Sequence, residues 1–154
     1  PKPNVYNEIS NKLSGSSSIK KIYISRHDRG GSVVLDNIFK NIGFHIMTLS
    51  TKTFLNDLVI FRNAEIIAGI DGSGLHNCVF MTGEKKYMIE LKSRPERFLK
   101  ENHGLANGQY FFNKLNNVKF KVIPFFKPFI KRKNYRVLKK HLNLILNDET
   151  FFII

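Results

Sequence analysis

Two features of the sequence suit the binding of a phosphate ester. A guanidinium stands where one strand-like run stops, and a glycine-rich turn stands where another becomes a helix. Arg26 follows Lys20-Lys21-Ile22-Tyr23-Ile24-Ser25, and Asp71-Gly72-Ser73-Gly74-Leu75-His76-Asn77 follows Gly69-Ile70. Glycine lets a backbone approach a ligand closely, and the first N–H groups of a helix carry partial positive charge. A planar guanidinium adds two parallel hydrogen bonds to phosphate oxygens. Together they fit a diphosphate. Taken alone, the glycine turn is more often only a tight connection. No Gly-Lys-Ser/Thr follows it, and its spacing is neither that of a dinucleotide-binding loop nor that of a nucleophile elbow.

Other titratable residues offer less. His27, His45, His76, His103 and His141 have no paired spacing that would hold a metal, and His45 is expected to pack within its strand. Glu90, near the end of a strand, either meets a ligand hydroxyl or accepts hydrogen bonds from neighbouring loops, because an unpaired buried carboxylate is costly. Asp71 is either a ligand contact or ordinary turn chemistry before glycine.

The elements that must position these residues alternate. Apolar positions 5, 6, 9 and 13 make a short helical stripe, and Ser14-Gly15-Ser16-Ser17-Ser18 reads as a flexible break. Strands are expected over 20–26, 43–49, 65–70, 86–91 and 118–123. Helices are expected from Ser32 (a potential N-cap) to about Asn41, and from Thr51 or Thr53 to Arg62. A short helix should run from the glycine turn to Met81, with others near Tyr110–Leu115 and over Tyr135–Leu146. Phe54, Leu58 and Phe61 fall on one helix face. Strands alternating with helices imply an α/β fold, a doubly wound and mainly parallel sheet with helices on both faces. In such a sheet ligands bind at the carboxyl ends of the strands, where Arg26 and the glycine turn fall.

Composition bounds the answer. A chain of 154 residues with 42% hydrophobic side chains supports one domain, taken as 1–154 with its core over 19–147. The single cysteine, Cys78, excludes an intrachain disulfide. No run approaches a membrane span, and Pro1-Lys2-Pro3-Asn4 has neither an apolar signal core nor an initiator Met, as in a piece of a longer chain or a processed product. A net charge of +13 points to an anionic partner, although abundant Lys, Asn, Ile and Phe also follow from AT-rich coding. The segment Lys119–Lys140 holds nine Lys/Arg and no acidic residue, interleaved with Phe120, Phe125, Phe126, Phe129 and Tyr135. It reads either as a core strand, loop and solvated helix face, or as a peripheral contact with an anionic membrane surface.

Several blocks together resemble the glycosyltransferase 61 family. Lys21-Ile22-Tyr23-Ile24-Ser25-Arg26 is similar to that family's (I/V)YISR strand. Asn63 to Asn77 resembles its A-x-x-(I/V)-(I/V)-x-G-x-H-G-A-G-L-T-N block. Gly43-Phe44-His45-Ile46, Phe80-Met81 and Met88-Ile89-Glu90-Leu91 match further elements in order, so the likeness spans about residues 20 to 123. It implies the carboxy-terminal Rossmann-like half of a GT-B enzyme, which inverts configuration, needs no metal or other cofactor, and holds a nucleoside diphosphate sugar. Arg26 would contact the diphosphate, and Gly72, Ser73 and Gly74 would present N–H groups to it. Leu75 and Asn77 belong to the same block, and Glu90 would lie at the same rim, near the nucleoside.

Departures from the family pattern leave alternatives open. Asp71 replaces a His, His76 replaces a Thr, and Gly31-Ser32 stands where a second Arg is expected, with Arg29 nearby. A lost cation and a gained carboxylate weaken anion binding. The leading expectation is a glycosyltransferase donor domain in glycan or surface polysaccharide synthesis, its partners a nucleotide sugar, a glycan or protein acceptor and an amino-terminal domain. The alternatives are a non-catalytic relative serving as a binding or scaffold module, and a basic nucleic-acid-binding domain. The expected location is the cytoplasm, peripheral at the membrane, or the secretory-pathway lumen in a eukaryote. GT-B chemistry takes place between two halves, so the isolated chain is expected to fold without transferring sugar.

Overall fold

Near-continuous apolar runs form strands here because a parallel sheet covered on both faces buries every side chain of its central strands. The structure, a computed structural model, describes residues 5–26, 33–50, 53–92, 107–124 and 132–148. Its strands are β1 (Lys21–Ile24), β2 (His45–Met47), β3 (Ile66–Ile70), β4 (Tyr87–Lys92) and β5 (Lys119–Pro124). They form one sheet in the order β2-β1-β3-β4-β5. Every neighbouring pair is parallel. All six positions of β4 are buried.

Helices cover both faces. On one, α2 (Val33–Asn41) and α5 (Arg132–Asn147) bring Leu35, Phe39, Leu138, Leu142 and Ile145 onto Tyr23, Ala68, Ile89 and Ile123. Tyr23 stacks on Phe39 with ring centroids 4.0 Å apart, which ties β1 to the helix that follows it. On the other face, Phe61 of α3 (Phe54–Asn63) and Leu75 and Cys78 of a 3-10 helix (Ser73–Phe80) cover Ile22, Ile24, Ile67 and Met88. Tyr110 and Phe112 of α4 (Asn107–Leu115) pack against the same cluster. The α/β, doubly wound and Rossmann-like architecture expected from the sequence is the one observed.

Local differences have physical causes. β1, β2 and β3 are shorter than expected, β4 and β5 keep their six residues shifted by one, and the helix after the glycine turn is a 3-10 helix. His45 does not pack: it begins β2, an edge strand, and its side chain is exposed. Phe54 turns half outward while Leu58 and Phe61 are buried. In α1 (Val5–Lys12), Val5 and Ile9 of the expected stripe are exposed, whereas Tyr6 packs edge-on against Phe80 at 5.6 Å. Thr53 occupies the N-cap of α3 without a capping bond, because its hydroxyl donates to Asp57 Oδ2 at 3.1 Å. The Ser14–Ser18 stretch is held and not a free break, since the Arg62 guanidinium donates to Leu13 O at 2.6 Å and to Gly15 O. Ser32, Arg29 and the Gly31-Ser32 position lie outside the described residues.

The 3-10 helix is pinned at its far end by amides of α4 and the turn after it. Asn116 Nδ2 donates to Cys78 O at 2.8 Å and Met81 O at 2.9 Å, while its Oδ1 accepts from Lys86 Nζ at 3.2 Å. Gln109 Nε2 donates to Asn113 Oδ1 at 2.9 Å. Asn116 is 3% exposed, so its removal would take a buried donor from Met81 O and leave Cys78 O with the Met81 N–H at 3.2 Å. Asn116→Ala is expected to cost about 2–3 kcal/mol in denaturant unfolding, the loss of two buried hydrogen bonds.

Candidate functional site

A sheet wound first to one side and then to the other opens a crevice where the winding reverses. Here β1 lies between β2 and β3, so the crevice stands over the carboxyl ends of β1 and β3. It holds about 440 Å³. Ile24, Ser25 and Arg26 line it from β1, Thr48 and Leu49 from the residues after β2, and Ser73, Gly74 and Asn77 from the 3-10 helix. A smaller, more apolar hollow of about 220 Å³ shares Leu49 and Asn77 and reaches Phe54 and Phe61.

Three glycines set the close packing. A Cβ on Gly69 would lie 3.2 Å from Leu75 Cδ2, and one on Gly74 would lie 3.2 Å from Leu49 Cδ1 and 3.3 Å from Ile24 Cγ2. The turn therefore rests directly on the end of β1. At Gly72 the demand is stronger. Its φ of +154° is rarely adopted by L side chains, and a Cβ would stand 2.7 Å from Arg26 Nη1. The Arg26 guanidinium thus lies across the Cα of Gly72, at the opening of the 3-10 helix. The first N–H groups of a helix have no acceptor in a preceding turn, and here they belong to Ser73 and Gly74. Leu75 N donates to Gly72 O at 3.1 Å and Asn77 Nδ2 to Gly74 O at 2.9 Å, which closes the turn on itself.

The expected residues do not all meet in the crevice. Arg26, Ser73, Gly74 and Asn77 line it together, with Gly72 beneath the guanidinium. Leu75 is 1% exposed and belongs to the core. Asp71 is half-buried, and its N–H donates to Leu91 O at 3.0 Å, prolonging the β3–β4 ladder. Glu90 stands opposite Gly69 in the register and is 2% exposed, its Oε1 accepting from the fully buried Lys92 Nζ at 3.2 Å. His76 stacks on Phe112 with centroids 4.5 Å apart, and burial lowers its pKa below the usual histidine value, favouring the neutral ring. Burial also pushes the Cys78 thiol up to about 12, against weaker opposing hydrogen bonds and the Lys86 charge, so it is no nucleophile in the folded chain. Among the described residues, no three His, Cys, Asp or Glu gather as a metal-binding group.

Thr48, Leu49 and Lys92 were not anticipated. The first two enter because β2 is the neighbour of β1, a pairing that periodicity alone does not disclose. Lys92 lies one residue past the strand expected over 86–91, yet it is the last residue of β4 and fully buried. The i, i+2 spacing of Glu90 and Lys92 was the available signal, since it places both on one face of β4.

The sequence model of the family described as Glycosyltransferase 61 matches residues 3–88, more than half of the chain. The chain belongs to the glycosyltransferase 61 family. The matched stretch contains β1, the crevice, the glycine turn and the first residues of β4. A search of curated proteins finds no match. Membership of the glycosyltransferase 61 family makes the coarse chemistry glycosyl transfer, with a sugar donor and an acceptor as partners.

The Glu90–Lys92 pair separates structure from ligand contact. Breaking a buried ion pair leaves one charge uncompensated, so Lys92→Met is expected to cost about 3–5 kcal/mol by denaturant unfolding. Adding Glu90→Leu should restore most of that loss. Nucleotide titration of the restored double variant then reports on the pair: wild-type affinity assigns it to the strand end, and lost affinity assigns it to the ligand.

Proposed function

We propose that this chain is the donor-binding domain of its glycosyltransferase, the carboxy-terminal half of a GT-B enzyme, and that the crevice holds the diphosphate of a nucleoside diphosphate sugar. One observation carries the reading: a guanidinium lying across a glycine at the opening of a helix, over the point where the sheet reverses its winding. The Ser73 and Gly74 N–H groups supply fixed dipoles, and Arg26 supplies the full positive charge that a diphosphate requires.

The reaction is a direct displacement with inversion. An acceptor hydroxyl attacks the anomeric carbon as the bond from that carbon to the distal phosphate oxygen breaks. The bonding pair leaves with the phosphate, and the acceptor proton passes to a base from the acceptor-binding half. Charge grows on the departing diphosphate in the transition state, where donors already aimed at it are worth most. The chain would then act in glycan or surface polysaccharide synthesis.

Asp71 favours a second reading, a non-catalytic relative that keeps the fold as a binding module. A carboxylate beside the turn opposes a dianionic ligand. Absence of nucleotide binding by the wild type together with binding by Asp71→His would select this reading.

Calorimetric titration of uridine and guanosine diphosphates tests the donor assignment. A hydrogen-bonded charge contributes about 1.5–3 kcal/mol, so Arg26→Ala should weaken binding by about tenfold to a hundredfold or more. Arg26→Lys should recover part of that, because a point charge replaces the two-pronged grip. Gly72→Ala should weaken binding too, by driving the guanidinium off its seat. An Arg26→Ala protein that is folded, less stable and unchanged in affinity would mean that the residue merely closes its own loop.

A further inference from the structure

The crevice uses little of the chain's +13 charge. Among the described residues that line it, Arg26 alone is charged. Much of the remaining excess gathers on α5, whose sequence RKNYRVLKKHLNLILN contains five Lys/Arg and no acidic residue. The inner face of α5 is accounted for, because Leu138, Leu142 and Ile145 are buried in the core beside α2. Its outer face carries the exposed cations Arg136, Lys139 and Lys140. On the same face Val137 is 62% and Leu144 52% exposed. Val137, Lys140 and Leu144 are spaced i, i+3 and i+7 and so follow one line along the helix. In the adjoining helix α2, Lys40 is also exposed.

We propose that this outer face of α5 docks on an anionic phospholipid surface. The helix lies flat against the folded domain, the orientation in which an interfacial helix meets a bilayer. The cations complement lipid phosphates and carboxylates, and the two aliphatic side chains reach the boundary of the acyl region. Nucleic acid would use the cations alone, since exposed Val and Leu gain nothing from a phosphate backbone. Phe120 takes no part, being buried in the core on β5. Residues 125–131 lie outside the described residues. Among the described residues no helix is long and apolar enough to cross a membrane. The contact is independent of what the crevice binds.

Co-sedimentation of the full chain with vesicles of phosphatidylcholine, with and without phosphatidylserine, tests the proposal. Binding is expected on the anionic vesicles at low salt and not on the neutral ones, and it should fall steeply as salt rises. The combined variant R136E/K139E/K140E should lose about a hundredfold in partitioning, on the order of fivefold for each cation near the surface. Val137→Ser with Leu144→Ser should lose about tenfold while keeping the salt dependence. Thermal melting monitored by circular dichroism confirms that each variant is folded. If the triple reversal is not, Lys139→Gln with Lys140→Gln carries the same test with a smaller loss. Equal partitioning onto both vesicle types would overturn the proposal, as would wild-type binding by a folded charge variant. So would random duplex DNA that displaces the vesicles and binds V137S/L144S as tightly as the wild type.

Discussion

Contact between the turn after β3 and the end of β1 governs the whole carboxyl edge of the sheet. Ile24 is wedged between Gly69 and Gly74, with no room for a side chain at either without displacing its neighbours. That proximity sets the depth of the crevice, aims the first N–H groups of the 3-10 helix and brings Gly72 under Arg26. Each of these is a backbone position, and backbone positions held by a packed sheet do not reorganise when a ligand arrives. The shape of the crevice is therefore mostly a property of the fold, with Arg26 the charged side chain among its lining residues.

The two ends of the 3-10 helix are held by different means. Its opening is set by glycine packing, and its close is pinned by Asn116 from the turn after α4. A 3-10 helix of eight residues is long for its type, whose hydrogen-bond geometry is poor. Support from outside the segment is what such a helix needs. Asn116 supplies it from the turn after α4, and Gln109 of α4 adds a bond from its Nε2 to Leu75 O at 3.4 Å. The family match ends at residue 88, so these pins belong to the part of the chain beyond it.

Much of this was legible in the residues themselves. The alternation of apolar runs with helical periodicity was enough for the layers, the parallel sheet and the placing of Arg26 and the glycine turn at strand ends. Strand order was not, because a parallel sheet leaves no local record of which strand lies beside which. Thr48 and Leu49 entered the crevice, and His45 left the core, for that single reason. Lys92 carried no legible signal of its own, because a lysine's usual place is in water and only a buried carboxylate two residues earlier reverses that preference. Leu75 shows the opposite case: it sits within the most informative motif, yet its role is to fill the space above Gly69.

The margins of the sheet carry a consequence for the molecule in a crowded solution. An outer strand offers unpaired amides that a second chain can extend into an intermolecular sheet. At one margin β2 spans only three residues and begins with the exposed His45. At the other, β5 carries Lys119 and Lys121 and ends in Pro124, which has no N–H to offer. Brevity guards one side, and charge with proline the other. An open sheet of this composition, rich in isoleucine and phenylalanine, thereby resists stacking edge to edge into aggregates.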